Sequence, residues 1–256
     1  MFGRRQFGLV LAGMAALSPV AAGAEGTWDD ADAKRYRACL AIVAETPEDG
    51  FESAMAWRDH GGAFPARHCL ALALVALGSH EQAALRLQHL AQDMHRHRPA
   101  LQAEILGQAG NAWLLAERPA DARTAFTAAL SRAPQHIDLL IDRARAHAAL
   151  GAYADAFNDL DVAVALAPER MDAVVFRAAA RRHLGDLVRA LEDVELALAL
   201  APHLTEALIE RGILRQLAGD RDGARADWLK VLETAPSTPA ADAARRHLEA
   251  LDVRRE

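Results

Sequence analysis

The side chains best suited to chemistry are the histidines His80, His89, His95 and His97, which fall in one short stretch of the chain. Imidazoles bind transition metals or shuttle protons near neutral pH. A metal needs them to converge on one ion, whereas His95 and His97, two positions apart on a helix, would point to nearly opposite sides. A metal-binding or catalytic accessory protein using the region around residues 80–97 is therefore the alternative reading, and a solvated helix end is the simpler one. Elsewhere the sequence contains no phosphate-cradling glycine loop, no nucleophile elbow, no paired-cysteine metal motif and no His-Glu-x-x-His helix. No catalytic residue, metal site or cofactor is assigned, and the chain is read as a non-enzyme. Cys39 and Cys69 are the two cysteines present; they can pair in an oxidising compartment or serve as small apolar core residues.

A second group of charged residues is regular. Arg143, Arg177 and Arg211 recur every 34 residues, and Asp159, Asp193 and Asp227 follow each of them by sixteen. Where the arginine column holds Ala109, the aspartate column holds Ala125, so both charges are absent together. Joint presence and absence predict contact: an arginine-carboxylate bridge between two helices of one repeat, in preference to a row of arginines binding an anion. The net charge of -6 supplies no basic field for wrapping nucleic acid or adhering to an anionic membrane.

Elements that position such columns must repeat with the same period. Pro134, Pro168, Pro202 and Pro236 do so, as do Ala122, Ala156, Ala190 and Ala224. Twelve residues before each alanine lies Gly110, Ala144, Ala178 or Gly212, and four after it lies Phe126, Leu160, Val194 or Trp228. The pattern predicts a first helix, a turn at Leu150-Gly151, Leu184-Gly185 or Ala218-Gly219, and a second helix ending near the proline. Small residues let the two helices approach, and the bulky residue fills the adjoining space. Alanine and leucine dominate while aromatics make up 5%, which also favours helix over sheet.

These columns, with Ala129, Ala163 and Ala197, resemble the tetratricopeptide repeat (TPR). The resemblance implies an all-α, right-handed superhelical solenoid of antiparallel helix pairs over residues 25–236. Strong copies are expected at about 103–136, 137–170, 171–204 and 205–238. Weaker ones are expected at about 31–63, where Thr46-Pro47 reads as a cap and first turn, and 64–102. Residues 239–256 form a capping helix and tail, which a terminal repeat requires to cover its apolar face. The chain departs from the family at the late aromatic of the first helix: Trp113 fits, but His147, Arg181 and Arg215 do not.

In this family the first helices line a concave face, so the resemblance implies a partner-binding groove. Its acidic edge would be Glu104, Asp138, Asp172 and Glu206; its apolar floor Ile141, Val175 and Ile209; its mixed row Asn111, Arg145, Ala179 and Ile213, with Asn111 able to hydrogen-bond a peptide backbone. Such a groove suits an apolar segment carrying basic residues. The acidic row is also favourable simply as carboxylates in a first helical turn.

Residues 1–24 read as a signal peptide: Arg4 and Arg5, an apolar stretch Leu9 to Leu17, and Ala22-Gly23-Ala24 before Glu25. The apolar stretch is too short to span a bilayer, so no stable membrane insertion is expected after cleavage. Arg4-Arg5-Gln6-Phe7 also resembles the twin-arginine signal, with the general export route favoured. The functional expectation is a periplasmic or secreted scaffold or adaptor that binds a protein or peptide.

Overall fold

In a computed structural model of the chain, residues 30–94 and 98–253 are described. The signal segment, His95 and His97 lie outside them. The described residues form thirteen α-helices and no strand. They part into two compact units, 30–146 and 147–253. The first unit contains α1 (Asp30–Glu45), α2 (Pro47–Asp59), α3 (Phe64–Ala76), α4 (His80–Asp93), α5 (Pro99–Leu115), α6 (Pro119–Leu130) and most of α7 (Ile137–Ala149). The second contains α8 (Tyr153–Leu166), α9 (Met171–His183), α10 (Leu187–Leu200), α11 (Thr205–Leu217), α12 (Arg221–Thr234) and α13 (Pro239–Val253).

Within each unit neighbouring helices pack as antiparallel pairs. First helices also touch one another, α1 with α3 in the first unit, and α9 with α11 and α11 with α13 in the second. The pairs close at the small-residue column. A Cβ on Gly110 would stand 2.5 Å from the Phe126 ring, and one on Gly212 would stand 2.3 Å from Trp228. The ring therefore occupies the space that a side chain would need. Helices α8, α10 and α12 end at Leu166, Leu200 and Thr234, two residues before their prolines.

The turn after a first helix needs a left-handed residue, so that two N–H groups can return to the last carbonyls. Gly185 adopts φ 86°, and the next N–H, on Asp186, donates to Arg181 O at 3.0 Å. After α5 the same place is filled by Glu117, at φ 56°, with Arg118 N–H donating to Trp113 O at 2.9 Å. Local capping differs from expectation at Thr46, whose side chain makes no cap bond to α2. Thr238 does cap α13, accepting from Ala241 N–H at 3.3 Å. Helix α5 starts at Pro99, before the expected 103. The extra turn places Gln102 to donate to Ala91 O and Met94 O at 3.2 and 3.1 Å, satisfying carbonyls at the end of α4.

Two kinds of polar brace hold the pairs. In the second unit Arg177 donates to Asp193 through Nε and Nη2 at 3.1 and 2.8 Å, and Arg211 to Asp227 at 3.0 and 2.7 Å. Each carboxylate takes a second guanidinium at 2.8 Å, from Arg181 or Arg215 one turn further along the first helix. The aspartates are 5% and 3% exposed. Arg143 and Asp159 belong to different units. Within its own unit Arg143 donates to Thr127 Oγ1 at 3.5 Å, and Asp159 lies 3.9 Å from His147 Nε2.

The first unit is held differently. Cys39 on α1 and Cys69 on α3 form a disulfide. Beside it His68, fully buried, lies 2.6 Å from Tyr36 Oη through Nδ1 and 2.6 Å from Gln108 Oε1 through Nε2. A neutral ring satisfies both bonds, donating from Nε2 and accepting at Nδ1, and links α1, α3 and α5. Burial lowers the His68 pKa to about 4, against an opposing contribution from Gln108.

Three outcomes follow. Glu117→Gly removes the left-handed strain and raises stability by about 1 kcal/mol in urea melts; a loss would contradict this account of the turn. Asp193→Ala leaves two guanidiniums facing a buried void and costs about 3 to 5 kcal/mol; an unchanged urea midpoint would remove the brace. Because the folded His68 pKa lies below the unfolded value of 6.5, its contribution is full above pH 6.5 and declines as pH falls toward 4, by about 3 kcal/mol. In His68→Gln the part of the acid-side loss belonging to this ring disappears, which a comparison of midpoints at pH 7 and 4.5 reads directly.

Candidate functional site

The first-helix faces carry the candidate residues. In the first unit Glu104 is half-buried on α5 and Asp138 exposed at the start of α7. Ile141 is 4% exposed and belongs to the core, so the expectation of an open apolar floor is corrected there. Asn111 is also committed: its Nδ2 donates to Asp142 Oδ2 at 3.0 Å, while Arg145 Nη1 donates to Asp142 Oδ1 at 2.7 Å. One of the two amide hydrogens of Asn111 thus serves α7. Asp142 was absent from the candidates. Its column holds Gln108 in the previous copy and Phe176 and Glu210 in the next two, so period alone could not single it out.

In the second unit Val175 is 4% exposed and packs with Val174 and Ala178 in the core, a second correction to the floor. Ile209 and Ile213 differ. Both are only partly buried, packed against the core along one side of α11, one helical turn apart. Trp228 Nε1 donates to Ile209 O at 3.3 Å, which holds this stretch of α11 against α12. The partly open isoleucines are accompanied by exposed carboxylates at the helix starts, Asp172 on α9 and Glu206 on α11. Partial burial would raise the Asp172 carboxyl. The Arg170 guanidinium, donating at 3.0 and 2.8 Å, and backbone N–H groups outweigh it and hold the group below the usual carboxylate range. Glu206 accepts from Thr205 Oγ1 at 3.0 Å.

Further along the same first helices, Arg182 on α9 donates to Glu210 on α11 at 2.5 and 3.3 Å, and Glu210 is 6% exposed. His183 stacks on Tyr153 with centroids 4.1 Å apart. Burial, followed by the Arg182 charge, lowers its pKa to about 4, so it is neutral at pH 7. Helix α13 closes this end: His247 stacks on Trp228 at 4.8 Å, and Arg221 donates to Leu251 O.

The histidine stretch assembles little. His80 and His89 both lie on α4. Among the described residues no three His, Cys, Asp or Glu side chains are grouped so as to hold a metal ion. No described helix is long and apolar enough to cross a membrane.

No family model and no curated protein matches the sequence. Solved structures do match the fold. MamA of Desulfovibrio magneticus is 22% identical, with a TM-score of 0.59 over 69% of this chain and 97% of that one. A thermophilic TPR protein of Thermus thermophilus is 22% identical, with a TM-score of 0.59 over 74% and 99%. YrrB, described as a TPR protein with an unusual peptide-binding site, is 21% identical, with a TM-score of 0.54 over 77% and 97%. The 34-residue columns, the ring seated on glycine in two of the pairs and the left-handed turn between paired helices all lead to the same place: this all-α chain has the fold of the tetratricopeptide-repeat proteins.

Proposed function

We propose that the chain is a non-catalytic protein-binding scaffold or adaptor of the cell envelope, holding a partner segment along its first helices. The observation that carries this reading is the pair Ile209 and Ile213. Two isoleucines one turn apart stay partly open to solvent beside the exposed carboxylates Asp172 and Glu206. An apolar strip with an acidic edge suits a segment that alternates apolar and basic residues. That YrrB is described as having a peptide-binding site supports peptide recognition on this fold. The envelope location is supported by the signal-like residues Arg4, Arg5, Leu9 to Leu17 and Ala22-Gly23-Ala24, together with the Cys39–Cys69 disulfide, a bond that persists in oxidising compartments.

The test uses Ile209→Asp with Ile213→Asp, because the buried Ile141 and Val175 would unfold the chain if charged. Partners captured from envelope extracts by the native protein are expected to fall at least about tenfold with the double variant, while the melting temperature changes by a few degrees at most. Capture is expected to weaken with salt as the acidic edge is screened. Undiminished capture by a folded double variant would end the reading.

A further inference from the structure

The repeats leave one helix side unexplained. Helix α10 turns Ala190, Asp193, Val194, Ala197 and Leu198 inward. Its opposite side carries Val188, Leu196 and Leu200, which are 72%, 50% and 66% exposed. With Glu192 these residues succeed one another at four-residue steps, and Glu195 lies beside them, so they share one face. A stripe of large apolar side chains along a whole helix is uncommon on a surface that contacts nothing.

The repeat itself does not require this stripe. One copy later, on α12, the same four positions hold Asp222, Ala226, Lys230 and Thr234. That pair is complete without an apolar outer face. One copy earlier, α8 shares half of the stripe through Val162 and Leu166, 47% and 40% exposed.

Charge decides the occupant. Neither Glu192 nor Glu195 has an ion pair or hydrogen bond to another described side chain. The one cation of the helix, Arg189, is held by Asp186 at 3.2 Å. The face is thus apolar and anionic. A symmetric second copy would set these carboxylates against their own kind, and an anionic lipid surface would be repelled. A helix bearing an apolar stripe flanked by lysine or arginine matches both features.

We infer that the outer face of α10 is a second docking surface, separate from the first-helix face, and that it takes a basic amphipathic helix of a partner protein. The leucines supply the contact, and Glu192 and Glu195 set the polarity of the partner.

The probe is a helical peptide of about 18 residues with leucines at three- and four-residue spacing flanked by lysines, compared with a twin carrying glutamates. Calorimetry on the full chain is expected to show the lysine peptide binding at least about tenfold more tightly than its twin. Leu196→Asp with Leu200→Asp is expected to lose the binding at unchanged melting temperature, both positions being open to solvent. Glu192→Lys with Glu195→Lys should transfer the preference to the glutamate peptide. Equal affinity for the two peptides, no binding of the lysine peptide, or binding lost instead with Ile209→Asp and Ile213→Asp would each overturn the assignment. So would self-association, or adhesion to vesicles of anionic lipid, that disappears with the Leu196 and Leu200 changes.

Discussion

Two short helices stay together only where one backbone can come close enough to receive a bulky side chain from the other. Gly110 and Gly212 meet Phe126 and Trp228 on this condition, and the remaining features of a pair are set around it. Helices of 13 or 14 residues, such as α11 and α12, bury too little apolar surface to persist alone in water. The crossing therefore determines which side of each helix turns inward, and by elimination which side is left for a partner.

The second constraint is a carboxylate buried at the same crossings. Asp193 and Asp227 each accept from two guanidiniums, the second supplied by Arg181 and Arg215 from late in the first helix. Charge-assisted hydrogen bonding of a buried carboxylate thus ties the two helices of each of these pairs beside the packed side chains. The same economy runs along the first helices, where Asn111, Arg145 and Arg182 are engaged by Asp142 and Glu210. Groups that look available for recognition are committed to the architecture, and recognition is left to side chains without such duties.

What was legible in the sequence follows the same division. Contacts inside one helix pair recur with the 34-residue period, so the turn glycines, the small and bulky columns and the pairing of Arg177 and Arg211 with aspartates stand out as columns. Contacts between successive first helices do not recur. Tyr36, His68 and Gln108 are 32 and 40 residues apart, outside any column, and Asp142 has different residues at its equivalents. Burial of Ile141 and Val175 also depends on neighbouring repeats, whereas Ile209 keeps some exposure under the same pattern. Glu117 hides the turn because it adopts a glycine conformation without being one.

The disulfide near the beginning of the described chain has a mechanical meaning. Cys39 lies on α1 and Cys69 on α3, so the whole of α2 sits inside a covalent ring. A pull applied to the chain ahead of α1 passes through two sulfur atoms into α3 and leaves α2 unloaded. The end of α1 after Cys39 and all of α2 are shielded from tension; load reaches the chain at α3, which is packed against both α2 and α4. Of a chain pulled from its leading end, the segment between the two cysteines is the part that stays folded back on itself.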